Sequence, residues 1–219
     1  MDVYIAPEVM DVLSLHPYVR DRAFRAQPIV DQLAKQALTL HAAHCGGDTR
    51  ACMQLASWWP QAQRLTTDEL MEVKLSASDA QLTIAREHGF GDWLGVEAIG
   101  QSELSEEFEA ALDELLTGQI EVLEYRLKRR PSLVQQRSPF GHRATLLHYL
   151  GANGVESYRQ MTPLSAPALA ELLLQNGARL DATANMYGGR QTAYDLASTS
   201  AHPHHAGISV ELNCVLQGS

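Results

Sequence analysis

The residues best suited to chemistry all fall in the second half of the chain: His148, Tyr158, Asp195 and His202. An imidazole, a phenol and a carboxylate can exchange protons with a bound small molecule as general acid and base. None of them has a nucleophile at a fixed spacing. The sequence contains no GxSxG, no GxGxxG and no phosphate-binding glycine loop, and Gly188-Gly189 reads as a turn. No catalytic residue is therefore expected. These four are the set that an isomerase, cyclase or hydrolase would have to use. The run His202-Pro203-His204-His205 raises metal binding. Zinc takes three or four convergent N, S or carboxylate ligands at about 2.0–2.3 Å. A short loop orients His202 and His204 alike only when extended, and the other ligands would come from His148, Asp195 or Cys214. With no HExxH and no paired cysteines, neither a metal nor a cofactor is expected. The run reads as a polar loop capping the next helix.

A second set suits non-covalent recognition. Tyr149, Asn153, Tyr158, Arg159, Tyr187, Arg190, Ser198 and His202 combine aromatic, arginine and small polar groups. Binding energy concentrates in such mixtures. They lie around two long segments, Glu156 to Pro167 and Ala201 to Gly207, which would have to sit side by side to build one groove. The competing reading places Tyr149 and Tyr194 in the core and gives Asp195 a helix-capping role.

The elements that must position these residues are helices. Ile29, Val30, Leu33, Ala37, Leu40 and Ala43 recur at three and four, one helical face. Gly46-Gly47-Asp48 ends that helix, and Asp48 or Thr49 can cap the next, which carries Ala51, Cys52, Leu55 and Ala56 up to Pro60. Phe108, Ala111, Leu112, Leu115 and Leu116 form another helix, stopped at Gly118. Ile120, Leu123 and Leu127 follow, up to Pro131. Gly47 to Pro60 and Gly118 to Pro131 have the same separation, which suggests a repeated helix–Gly–helix–Pro unit. Between them, Thr67-Asp68-Glu69 and Ser76-Ala77-Ser78-Asp79 read as helix starts, with Gly89 as a stop and a short helix over Phe90 to Ile99. Trp58-Trp59 is expected half-buried against that last segment. The first 27 residues, punctuated by Pro7 and Pro17, read as a docking arm with a short helix broken near Pro17. The division expected is 1–103, a helical region with one degenerate repeat-like pair and an inserted segment, and 104–219, the repeats.

Bulk properties narrow the partners. The chain has 219 residues, is 45% hydrophobic and 20% charged, and carries a formal charge of -9. An acidic chain without a clustered basic face is a poor binder of phosphate backbones, so nucleic acid is not expected. The densest basic run, Arg126 to Arg130, sits at helical spacing and suits a helix C-terminus. No apolar run approaches the roughly 18 residues of a membrane span. No secretory leader is visible. The three cysteines are not in a CxxC, and Cys45 and Cys52 lie in apolar segments as small buried hydrophobes would. A cytoplasmic location is the expectation.

Thr145-Leu146-Leu147-His148, the run Leu172-Leu173-Leu174-Gln175-Asn176-Gly177-Ala178 and the exit Leu180-Asp181-Ala182 resemble the ankyrin repeat. LLHYLGANGVESYRQ, MYGGRQTAYDLASTSAHPHHAG and His88 to Trp93 are similar to a group of bacterial ankyrin-repeat proteins. The match covers Phe108 to Gly218 and reaches more loosely to Ile29–Pro60. Thr145, Leu147 and His148 match the family's Thr-Pro-Leu-His tetrapeptide, with Leu146 in place of proline. Thr145 to Gly177 runs about ten residues beyond what a roughly 33-residue unit implies. A further unit starts at Thr192, with Tyr194-Asp195 replacing Leu-His. The resemblance implies an all-α solenoid with an N-terminal helical extension. It implies that His148 ties one repeat to the next and that Gly177 holds a positive φ. It also implies a protein partner bound on the concave face; the alternative, from the residues themselves, is a small-molecule enzyme using a pocket lined by His148, Tyr158, Asp195 and His202.

Overall fold

The structure, a computed structural model, describes residues 3–218. Helix predominates, with fourteen helices and four short strands among the described residues. Backbone contacts divide the chain into two units. One comprises residues 7–104; the other comprises residues 105–218 together with residues 3–6.

The first unit is built on one long helix. Helices α1 (Pro7–Leu15), α2 (Arg22–Arg25), α3 (Ile29–Cys45), α4 (Arg50–Trp58), α5 (Thr67–Glu72), α6 (Ala77–Glu87) and α7 (Trp93–Glu97) follow in order. Helix α3 turns Ile29, Leu33, Ala37 and Leu40 inward and packs on α4, α6 and α7. Each such side chain contributes about 1.5–3 kcal/mol by leaving water. Thr66 and Ser76 start α5 and α6 with reciprocal capping boxes, closed by Glu69 and Asp79. The opening segment differs from the expected arm: α1 buries Val9, Val12 and Leu15 and packs on α3 and α4, so it is part of the core. It does end before Pro17, where a 3-10 turn takes over. Cys45 also departs from expectation. It is exposed, because His44 takes the inward position beside it and bonds the Leu70 carbonyl at 2.8 Å. Trp59 is buried, with its indole N–H directed at Asp79 of α6 (3.3 Å), while Trp58 is half-buried.

The second unit holds the segment of interest. Strand β1 (Val3–Ile5) pairs antiparallel with β2 (Met161–Pro163) in the register Val3–Pro163, Tyr4–Thr162, Ile5–Met161. Helices α8 (Glu106–Leu116), α9 (Ile120–Arg129), α10 (Leu146–Tyr149) and α11 (Ala166–Gln175) precede the hairpin of β3 (Thr183–Met186) and β4 (Gly189–Thr192). Helices α12 (Ala193–Thr199), α13 (Ala201–His205) and α14 (Ser209–Gln217) follow. The helices share one core, from Phe108 and Leu112 through Leu147 and Leu173 to Leu196, Leu212 and Leu216. The α3–α4 and α8–α9 pairs each have a positive-φ glycine between the helices and a proline-started 3-10 turn after them. The run His202 to His205 is not a loop: Ser200 accepts the His202 N–H at 3.3 Å and starts α13, and Pro203 sits in the first turn, where its missing N–H costs nothing.

Candidate binding face

Two threonine-led turns anchor the region. Thr145 opens α10, and its N–H donates to His148 Nδ1 at 3.2 Å while its hydroxyl lies 2.8 Å from the same atom. Because Nδ1 accepts the amide proton, Nε2 carries the imidazole hydrogen and donates to the Ala182 carbonyl at 3.1 Å. Thr192 opens α12 in the same way. Its N–H and hydroxyl both donate to Asp195, at 2.8 and 2.7 Å, and its hydroxyl accepts the Asp195 N–H. These bonds hold the Asp195 carboxyl below the ordinary carboxylate range. Burial, and next the charge of Arg137, lowers His148 to about 4, so it is neutral at neutral pH. His148 and Asp195, two of the acid–base candidates, are thus engaged in helix starts.

The hairpin between them was not expected, although its signal was present. Thr183–Met186 and Gly189–Thr192 flank Tyr187-Gly188, both at positive φ (54° and 73°), the geometry of the two-residue turn that matches strand twist. Asparagine or glycine usually stands at the first of these positions. A tyrosine there costs about 1–2 kcal/mol. Tyr187 is nevertheless 66% exposed. Its hydroxyl donates to Asn153 Oδ1, and Asn153 Nδ2 in turn reaches Thr199 Oγ1 and the Leu196 carbonyl at 3.2 and 3.3 Å. Gly154 makes the approach possible: a Cβ there would lie 2.7 Å from Met186 Sδ and 3.2 Å from Tyr187 Cε2.

Around this tip the other predicted residues separate into exposed and interior groups. Arg190 and Ser198 are exposed, and His202 is half-buried at the start of α13. The two long segments do adjoin, since α13 packs on β1 and β2, with Tyr4 Oη 3.3 Å from His205 Nδ1. Tyr149, Tyr158 and Arg159 are interior. Arg159 lies 2.5 Å from Glu109 Oε2 and 3.5 Å from Glu156 Oε1, and its guanidinium carbon lies 5.3–6.0 Å from the ring centres of Tyr158, Phe140 and Tyr149. Burial works against its charge, but Glu109, Tyr158 and Glu156 outweigh it and raise its pKa well above the ordinary value. Glu156 Oε1 also lies 3.6 Å from His142 Nε2 and accepts from Tyr149 Oη at 3.5 Å. Burial, and next Glu156, pushes the Tyr149 phenol well up. Tyr149 and Arg159 therefore leave the expected groove because their polar ends are satisfied inside, and Tyr158 because its ring packs beside Arg159.

Sequence reasoning missed Glu109, His142 and Glu156. Glu109 had a signal: it stands three residues before Leu112 on the apolar face of α8, where an unmatched carboxylate would be costly. A surface depression of about 260 Å³ lies elsewhere in the unit, lined by Glu107, Val122, Tyr125, Arg126, Arg129 and Arg130. Among the described residues, no three His, Cys, Asp or Glu side chains converge as a metal site, and no helix is long and apolar enough to cross a membrane. The chain matches no protein-family model, and comparison with curated proteins and with solved structures yields no match.

Proposed function

We propose that this protein is an ankyrin-type helical solenoid that binds a protein partner non-covalently, through the face bearing the Tyr187 hairpin. The observation that carries the reading is Tyr187 itself. A large aromatic stands exposed at a strained tip, its hydroxyl tied to Asn153 and its ring against Gly154. Backbone strain of this kind persists where the surroundings impose it, and such sites cluster at binding surfaces. A preset aromatic loses little freedom on binding, which favours affinity. The resemblance of Thr145–Ala182 to the ankyrin repeat supports the same reading, and the paired threonine starts at Thr145 and Thr192 agree with it. His148 and Asp195, which an enzymatic reading would enlist as acid and base, are bonded into helix starts, and Tyr158 packs against Arg159.

The test is quantitative capture from the protein's own cells, comparing wild type with Tyr187→Ala. A partner retained by wild type and lost by the variant, with an unchanged melting temperature, is the expected result. Loss of stability and binding together would make Tyr187 a structural residue and overturn the reading.

A further inference from the structure

Three arginines beside the hairpin narrow the chemistry of the partner. Arg137, in the loop before α10, donates from Nη1 to the carbonyls of Arg143 and Thr183 at 2.6 and 2.8 Å. Arg190, on β4, donates from Nε to the Thr183 hydroxyl at 2.9 Å. Two guanidinium groups from distant parts of the chain therefore meet on one residue. Arg143 is exposed and borders them at φ 57°. None of the three has a carboxylate within ion-pair distance among the described residues. Elsewhere in this unit Arg126 is held by Glu107 and Glu114, Arg159 by Glu109, and Lys128 by Glu124, while Arg129 donates to the Tyr125 hydroxyl. The neighbouring Asp181 is engaged by Arg179 at 2.7 Å. In a chain of net charge -9, this hairpin edge holds positive charge that no other described residue matches. Arg137 and Arg190 are also preset: backbone carbonyls and a hydroxyl hold them, while Arg137 Nη2 and both terminal nitrogens of Arg190 carry no hydrogen bond among the described residues. A guanidinium with open donors is matched in shape by a carboxylate.

We propose that this edge docks an acidic segment of a partner protein, with carboxylates at Arg137, Arg143 and Arg190 and an apolar side chain against Tyr187. The inference rests on the reading of this face as a protein-binding surface and adds the class of partner. A nucleic acid offers the same sign of charge, but three arginines on an acidic chain give little purchase on a continuous phosphate backbone.

The experiment selects binders from a random 12-residue peptide library displayed against the full chain. Enriched peptides are then measured by fluorescence anisotropy at low and high salt. The expected result is enrichment of peptides with several Asp or Glu. Their affinity should fall about tenfold or more for Arg143→Gln/Arg190→Gln at low salt, with the gap largely closing at high salt. Lys128→Gln/Arg130→Gln, at the C-terminal end of α9, should bind as wild type, and both double variants should melt with it. Enriched peptides of neutral or basic composition that depend on Tyr187 but not on the arginines would overturn the acidic class and leave the docking face standing. Peptides sensitive to neither Tyr187→Ala nor the arginine variant would overturn both. Equal competition by single-stranded DNA of matched charge would replace the acidic segment with a general anion site.

Discussion

Acidification should weaken the second unit through His148, by an amount the structure sets. The imidazole is fully buried, accepts from Thr145 at Nδ1 and donates to Ala182 from Nε2. A proton added at Nδ1 would face the Thr145 amide hydrogen, and Arg137 adds positive charge nearby. The folded pKa is about 4 against 6.5 for the free side chain. The unfolded chain therefore binds the proton first, and folding loses stability wherever the unfolded state holds more protons. The contribution is complete above pH 6.5 and is lost as pH falls from 6.5 toward 4. At 1.36 kcal/mol per unit, the loss is about 3 kcal/mol. His16 in the first unit, lowered by burial to about 4, has the same sign, so wild-type denaturation alone does not isolate His148. The comparison needed is urea unfolding of wild type and His148→Gln across this range. The variant is less stable at neutral pH, and the gap should shrink by about 3 kcal/mol by pH 4. A gap that stays constant, or an imidazole that titrates near 6.5 by NMR, would refute the tautomer and burial reasoning.

Two other substitutions probe the interior behind the face. Arg159→Ala leaves Glu109 and Glu156 buried without their cation and should cost about 3–5 kcal/mol in denaturant melts. Arg159→Ala in a Glu109→Gln background should cost less, since one uncompensated charge is removed. Gly151→Ala places a Cβ 2.8 Å from Leu196 Cβ and 3.1 Å from the Ala197 nitrogen, so the loop must move off α12. A loss of about 1–3 kcal/mol is expected, together with weaker binding by the displaced Asn153.

The sequence by itself determined the longer helices and several of their ends, though not α13. Apolar residues at three and four placed α3 and α8, because a helix turns those positions to one side, and the buried residues of both fall on those faces. Gly177, at φ 94°, ends α11 where a left-handed residue was anticipated. The Thr192 start was legible too, since a hydroxyl can accept a free amide proton within its own turn. All of these are local effects, carried by residues a few positions apart.

Only the tertiary structure decided which candidates face solvent. Tyr149 and Tyr187 both belong to the recognition set read from the sequence, yet one is sealed beside Arg159 and Glu156 and the other stands at a hairpin tip. Arg159 and Arg190 diverge for a related reason. Glu109, fifty positions away in the chain, draws Arg159 inside, whereas Arg190 meets the Thr183 hydroxyl and keeps its charge at the surface. A charge enters a core only where a partner of opposite sign is already placed there. That placement depends on contacts far apart along the chain, which no local spacing encodes.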